Sequence, residues 1–270
     1  VGKYLEVDPG VEIYYEDEGE GPPIIFTPGW TFTTEVFVHQ MVHFATTNRV
    51  VTWDPRSFGR STMTPHGNSY EQQGADLAKL IDALALEDVV LVGWSFGCLA
   101  DWAYIRRHGL DNVKAVVSID LSPKPLSVNA DDWVEGSLDD IAEAHNTFLF
   151  SPEGQRDFVA AYAEDVMVQR ELSEEELAWI VGMSLNTPYY IAATNFAAGM
   201  FCDYREEAKL VAANRPALHI IAEHWADVAV PFIEQLCPET QTAVLGGHMM
   251  FWEHADEFNR ILGAFLAGIE

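Results

Sequence analysis

The sequence predicts an α/β fold: a doubly wound, mostly parallel sheet with helices on both faces and an inserted helical lid. The first observation behind this prediction is that short β-rich runs alternate with helical patterns along most of the chain. The second is that the strands stop near residue 121, after which helical signals continue alone to about residue 205. We therefore expect a core made of residues 1–120 and 206–270, and a lid made of residues 121–205.

Seven apolar runs are the predicted strands of the sheet. They cover, approximately, residues 11–15, 24–28, 50–54, 89–94, 113–120, 218–222 and 242–245. Apolar positions 77, 80, 81, 84 and 85 predict a helix over 70–86 that packs one face on this sheet. In the lid, Ser151-Pro152 and the capping box Ser173–Glu176 indicate the starts of two helices.

The most informative segment is Gly93-Trp94-Ser95-Phe96-Gly97, which directly follows the apolar run Val89–Val92. A serine between two glycines at a strand-to-helix junction predicts a tight turn, because side chains at 93 or 97 would collide. Such a turn exposes the serine hydroxyl, and the helix that follows points its N-terminus at any oxyanion formed there. The segment therefore predicts a nucleophilic serine, Ser95.

A serine nucleophile needs a base that takes its proton, and that base needs a carboxylate to hold it in one tautomer. His248 in Gly246-Gly247-His248 follows the last predicted strand, where a loop can bring an imidazole back to Ser95. His254 is the nearest rival, but its surroundings predict the start of a helix. We therefore predict His248 as the base.

Together these motifs resemble those of the α/β-hydrolase superfamily. Pro28-Gly29-Trp30 after an early strand, the segment Asp54–Ser61 after the next and the late Gly-Gly-His extend the resemblance over nearly the whole chain. The resemblance implies an oxyanion hole formed by the backbone N–H groups of Phe96 and of Trp30, which follows Gly29. It further implies that Trp94 and Met249, the neighbours of the nucleophile and the base, belong to the oxyanion or substrate-binding residues.

Three residues compete for the role of the acid. Similar proteins usually carry an Asp three residues after the small residue that ends the penultimate strand, but Trp225 stands there and Asp227 follows two residues later. Some superfamily members carry the acid one strand earlier, and Asp120 follows directly after such a strand, where burial would require a hydrogen-bond partner. We favour Asp120, with Asp227 as the alternative and Glu223 last.

The predicted lid carries more large apolar side chains than its helices need to pack against one another. Most should form ordinary core, and the remainder should line a pocket over Ser95. These side chains are Trp133, Phe148, Phe150, Tyr162, Met167, Trp179, Met183, Tyr189, Tyr190, Phe196, Met200 and Phe201.

Composition restricts the classes of partner. The formal net charge of −27, from 15 basic and 42 acidic residues, argues against nucleic acid and against anionic membranes. Apolar runs are only of strand length and no signal peptide is visible, so a cytoplasmic protein that crosses no membrane is expected. The cysteines are an odd number, and we interpret all three, Cys98, Cys202 and Cys237, as structural thiols. Without metal-ligand spacing or a nucleotide-binding glycine motif, we expect no metal, no cofactor, a small-molecule substrate, and a monomer or homodimer.

The implied activity is hydrolysis of small to medium, apolar or aromatic carboxylic esters or lactones through an acyl-enzyme, with Ser95, His248 and Asp120 as the triad. One alternative is a cofactor-free dioxygenase, because enzymes that open 3-hydroxy-4-oxoquinoline rings are similar in fold and use a His-Asp pair. Against this alternative, Phe32 stands at the position where those enzymes tend to carry a second histidine. Another alternative is a small-molecule receptor that keeps the triad.

Overall fold

The computed structural model describes residues 2–129 and 131–269, which form one eight-stranded sheet with helices on both faces. The strands are β1 Lys3–Asp8, β2 Val11–Glu18, β3 Pro23–Thr27, β4 Arg49–Asp54, β5 Val89–Trp94, β6 Val113–Ile119, β7 Ala217–Ile221 and β8 Gln241–Val244. Their order across the sheet is β1-β2-β4-β3-β5-β6-β7-β8. The pairs β1–β2 and β2–β4 are antiparallel, and all the pairs from β4 to β8 are parallel. The predicted fold class is confirmed.

Four of the α-helices in the described residues begin after a serine whose side chain caps the helix. The α-helices are α1 Val38–Phe44, α2 Tyr70–Ala83, α3 Gly97–His108, α4 Leu138–Glu143, α5 Pro152–Tyr162, α6 Glu174–Leu185, α7 Tyr189–Met200, α8 Arg205–Asn214, α9 Ala226–Leu236, α10 Met250–Glu253 and α11 Ala255–Ala267. Ser151 caps α5 with Pro152 in its first turn, and Ser173 with Glu176 forms the capping box of α6, as predicted.

The edge strand β1 is the one strand the sequence did not predict. Half of its six residues are exposed, and Val7 is the one that is buried. It pairs with β2 around a turn in which Gly10 has a φ of 74°, with Tyr4 opposite Tyr14. An edge strand that buries so little has no continuous apolar run, so its pattern was missed.

Both faces of the parallel part of the sheet are buried. Successive residues of a strand point to opposite faces. Ile25 and Leu91 contact the core beneath α2, α3 and α8, whereas Ile24 and Val90 contact the core beneath α1 and α11. Burial on both sides explains why these strands could be recognised as uninterrupted apolar runs.

The parallel strands bring their carboxyl ends to one edge of the sheet. Strand β3 leads to Gly29, β5 to Ser95 and β6 to Asp120, and β5 lies between the other two. Helices α4 to α7 lie within residues 121–205, a stretch whose described residues form no strand. The exact division into core and lid stays a prediction.

Candidate active site

Ser95 lies on a left-handed turn between β5 and α3. Its φ is 52°, and Phe96 is the N-cap residue of the helix. A Cβ at Gly93 would lie 2.7 Å from the backbone of Cys98, and a Cβ at Gly97 would overlap the carbonyl oxygen of Thr27. The two glycines are therefore required because neighbouring backbone passes directly against them.

His248 and Asp120 meet at the carboxyl ends of the strands. His248 Nδ1 lies 2.6 Å from Asp120 Oδ2, and both side chains are buried. The other oxygen, Asp120 Oδ1, accepts a hydrogen bond of 2.7 Å from the backbone N–H of Ala222 at the end of β7. Asp120 itself has a φ of 53°, a conformation that Asp tolerates better than most residues. With Nδ1 turned to the carboxylate, Nε2 is the ring nitrogen left for a reacting group.

The other candidate residues lie away from this pair. Asp227 is exposed in the first turn of α9. Glu223 is exposed and accepts a hydrogen bond of 2.8 Å from Gln169 Nε2. His254 is the N-cap residue of α11, as its surroundings predicted. Of the three candidate acids, Asp120 is the one that the fold brings to His248.

Ser95 and His248 line the same cavity, whose volume is ≈ 220 Å³. Within the described part of the chain, the Ser95 hydroxyl makes no hydrogen bond to the imidazole. Nucleophile and base are often loosely placed in the absence of substrate and tighten when it binds. A small side-chain adjustment is therefore part of any reaction that uses both groups.

The loop that carries Gly29 and Trp30 passes close to Ser95, and Phe96 follows the serine directly in the chain. A Cβ at Gly29 would lie 3.0 Å from Ser95 Cβ, so a glycine lets this loop approach the serine. Among the described residues, no hydrogen bond uses the backbone N–H of Trp30 or of Phe96. Both groups are thus available to an oxyanion.

The side chain of Trp30 joins this loop to the helices above it. Its Nε1 donates a hydrogen bond of 2.7 Å to the carbonyl oxygen of Ala192 in α7. Its ring meets Phe158 and Phe196 edge-on, with centroid distances of 5.8 and 5.5 Å. The next residue, Thr31, shares a hydrogen bond of 2.6 Å with Ser184 in α6. The loop is therefore attached to α6 and α7 by hydrogen bonds as well as by packing.

Trp94 and Met249 have different positions. Trp94 lines the cavity, and its Nε1 donates a hydrogen bond of 2.8 Å to the carbonyl oxygen of His248. Met249 is fully buried outside the cavity lining, and its backbone N–H donates to the carbonyl oxygen of Met167 at 2.8 Å. Trp94 can thus contact a ligand directly, whereas Met249 holds the backbone that carries the imidazole.

Most of the cavity wall is apolar or aromatic. Of the twelve large apolar side chains singled out above, Tyr162, Met167, Phe196 and Met200 line it. Phe150, Tyr190 and Phe201 are instead exposed. Other lining residues that the sequence did not suggest are Phe158, Val159, Ile141, Ala144, Asp140, Gly136 and Glu135.

Glu135 brings a carboxyl group into this apolar wall. Burial raises its pKa to about 7, the charge of Asp120 raises it further, and His248 opposes the shift. One acid among 42 in the sequence gave no signal that it would face the cavity.

The thiol nearest the nucleophile is not a second reactive group. Cys98 is buried beneath the turn, and its Sγ donates to the carbonyl oxygen of Gly93 at 3.1 Å. Burial raises the pKa of the Cys98 thiol well above its usual range, so it stays protonated. Within residues 2–129 and 131–269, no group of His, Cys, Asp and Glu has the arrangement of a metal site. No helix in the same residues has the length and apolarity needed to cross a membrane.

Comparisons with known proteins assign the chain to a family. A model of the alpha/beta hydrolase fold family matches residues 22–185. A non-heme haloperoxidase of Rhodococcus erythropolis is 35% identical over 134 residues, which are 49% of this chain and 48% of that protein. The chain thus matches about half the length of that relative.

Two further similarities extend over nearly the whole chain. A putative non-heme chloroperoxidase of Synechocystis sp. is 28% identical over 278 residues, which cover 95% of each protein. The solved structure of an esterase from Exiguobacterium antarcticum is similar with a TM-score of 0.86 at 21% identity. This match covers 99% of the chain and 100% of the esterase, and it concerns the fold alone.

Proposed function

Since the chain belongs to the alpha/beta hydrolase fold family, we propose that it is a hydrolase whose substrates are small to medium, apolar or aromatic carboxylic esters or lactones. The proposal includes an acyl-enzyme intermediate on Ser95. The observation that carries it is the 2.6 Å contact of His248 Nδ1 with Asp120 Oδ2 beside the left-handed turn at Ser95. A nucleophile, a base and a carboxylate that orients the base are the groups that acyl transfer requires.

In the first half of the proposed reaction, Ser95 Oγ attacks the carbonyl carbon and His248 Nε2 accepts the hydroxyl proton. The tetrahedral intermediate then breaks its bond to the alcohol oxygen, which takes the proton from His248 as it leaves. In the second half, water attacks the acyl-enzyme and gives a proton to His248. That proton returns to Ser95 as the carboxylic acid leaves.

Two backbone N–H groups would stabilise the negative oxygen of both tetrahedral intermediates. They belong to Trp30, which follows the glycine packed against Ser95, and to Phe96, the residue after Ser95. Loss of one such donor in a hydrolase typically costs about 10²- to 10³-fold in kcat. The aromatic and apolar wall supports an apolar acyl or alcohol group, because such a group gains most from leaving water.

The test is a panel of aryl esters, alkyl esters and lactones assayed with the unchanged protein and with Ser95→Ala. We expect turnover of at least one class and a loss on the order of 10⁴- to 10⁶-fold in the variant. Ser127→Ala, which changes a serine outside the cavity lining, should keep full activity. Labelling of Ser95 by a fluorophosphonate without turnover of any panel member would contradict the proposal and favour a receptor.

A second candidate reaction is perhydrolysis by the same acyl-enzyme, with hydrogen peroxide in place of water and a peracid as product. The names of the two peroxidase relatives described above favour it. Addition of peroxide to the ester assay should then yield peracid only when Ser95 is present.

The dioxygenase alternative needs His248 and Asp120 but not the serine. The 2.6 Å contact between His248 Nδ1 and Asp120 Oδ2 is the pairing that such a reaction would use. Oxygen uptake with a 3-hydroxy-4-oxoquinoline that survives Ser95→Ala would favour that reaction over ester hydrolysis.

A further inference from the structure

We propose that Glu135 makes the cavity selective for substrates that carry a positive charge, in preference to neutral molecules of the same shape. The inference rests on the proposed function, because it assigns a substrate class to the cavity of Ser95 and His248. The class is small aromatic esters with a quaternary or otherwise permanent cationic group.

Glu135 is part of the cavity wall. It lies just before α4 and lines the cavity together with Ser95 and His248. Its Oε1 has only a long hydrogen bond, 3.5 Å, from the backbone N–H of Ser122. No ion pair joins Glu135 to a basic side chain in the described part of the chain. The carboxyl group therefore faces the cavity without the cation that would normally compensate its charge.

Aromatic rings form another part of the wall of the cavity that Glu135 lines. The rings of Trp30, Phe158 and Phe196 pack against one another and line the cavity. Aromatic faces attract a cation more strongly when water is displaced. Among the described lining residues there is no lysine or arginine that would repel a cation. A carboxylate and aromatic rings together are the groups that recognise a quaternary ammonium ion.

The electrostatic field of the whole protein acts in the same direction. A net charge of −27 favours the approach of cations and opposes that of anions. Burial of a further uncompensated carboxylate is costly in such a protein, and the raised pKa of Glu135, about 7, reports that cost. A bound cation would relieve it, so the two should stabilise each other.

Selectivity should therefore increase with pH, because Glu135 loses its proton as the pH rises through about 7. Other groups that face Glu135, or lie on the elements packed against it, are His248, Asp120, Tyr162, Asp140, Lys124 and His224. Tyr162 stays neutral because burial raises its pKa, and Asp140 stays ionised because hydrogen bonds from Ser137 lower its pKa. Partial burial lowers the pKa of His224, which favours the neutral ring.

The experiment compares 4-(trimethylammonio)phenyl acetate with 4-tert-butylphenyl acetate, two esters of the same shape that differ by one fixed charge. Binding is measured by calorimetry on full-length Ser95→Ala, which keeps the esters intact, and on Ser95→Ala combined with Glu135→Gln. At pH 8, we expect the ratio of the affinity for the cationic ester to the affinity for the neutral ester to be about tenfold larger in the first protein than in the second. The preference should decrease at pH 6 only in the protein that retains Glu135.

Glu143→Gln is the matched control, because Glu143 is an exposed carboxylate on α4 that does not line the cavity. In the Ser95→Ala background it should keep the full preference, and the neutral ester should bind all three proteins equally, which also verifies folding. A preference that survives Glu135→Gln, or none in Ser95→Ala, would overturn the inference. If binding is selective but protein with Ser95 hydrolyses neither ester, ester hydrolysis fails and cation recognition stands.

Discussion

The two sides of the cavity are built by different kinds of interaction. On the sheet side, Ser95 and Asp120 sit in left-handed conformations at strand ends, and backbone groups hold them. On the opposite side, helices α5 and α7 contribute rings that pack against Trp30. Backbone geometry thus sets the reacting groups, whereas side-chain packing sets the shape offered to a ligand. Changes on the first side should cost far more than changes on the second.

The largest effect is expected from Asp120→Asn. Asn tolerates the left-handed conformation at 120, but its NH₂ group would face His248 Nδ1 and favour the wrong tautomer. We expect kcat for ester hydrolysis to fall about 10⁴-fold with little change in folding. Asp227→Asn, at an exposed position, is the control. A larger loss in the control than in Asp120→Asn would refute the assignment of the acid.

Gly97→Ala tests the sheet side through stability. The new methyl group would overlap the backbone carbonyl oxygens of Thr27 and Pro28 at the end of β3. Overpacking of this kind should lower the free energy of unfolding by about 3 kcal/mol and disturb the turn at Ser95. Urea denaturation measures the change. An unaltered midpoint would contradict the prediction, because it would mean that the backbone around the nucleophile moves to accommodate the methyl group.

His219→Phe tests how strongly the core behind the sheet side excludes water. His219 is buried on β7, stacks on Trp102, and burial lowers its pKa to about 4 from 6.5. A lowered pKa in the folded state means that the stability present above pH 6.5 is lost as the pH falls towards 4. The variant should escape up to about 3 kcal/mol of that loss. Unfolding in urea at pH 7 and pH 4.5 measures it, with exposed His39→Asn as the control. Equal loss in the variant and the unchanged protein would contradict the prediction.

Trp30→Phe tests the opposite side. It keeps an aromatic ring between Phe158 and Phe196 but removes the hydrogen bond to Ala192. One such bond contributes about 1 kcal/mol, so KM should rise about fivefold while kcat changes less. Trp179→Phe, which removes an indole outside the cavity lining, should leave both constants unchanged. A kcat loss as large as that of Asp120→Asn would erase the proposed difference between the two sides.

The smallest effect is expected from Gly182→Ala in α6. In contrast to Gly97, a Cβ at this position meets no atom within 4 Å. Alanine should therefore stabilise the helix by up to about 1 kcal/mol with no change in activity. Thermal unfolding measures the gain. A loss of stability would contradict the prediction, because it would mean that neighbouring atoms crowd position 182 of α6.

The same contrast explains how much could be predicted from the sequence. The turn at Ser95, the strand before it and the position of Asp120 follow from short local patterns, because glycines and apolar runs record backbone constraints directly. The parallel strands were found for this reason. The edge strand β1 was not, because it buries so little.

The cavity wall could be predicted only in part. Tyr162, Met167, Phe196 and Met200 were among the large apolar residues noted in the lid, but nothing in the sequence separated them from Phe150 or Phe201, which are exposed. Glu135 gave no signal at all. Which helix face meets the cavity depends on how α4 to α7 pack together, and that packing joins residues far apart in the sequence.

The attachments of the Trp30 loop to α6 and α7 affect when the protein can be active. The backbone N–H that would stabilise the oxyanion belongs to a residue whose indole is tied to Ala192, and its neighbour Thr31 is tied to Ser184. A movement of these helices that opened an entrance would pull the loop away from Ser95. We expect the protein to be inactive while its entrance is open, so that admission of a molecule and its conversion alternate.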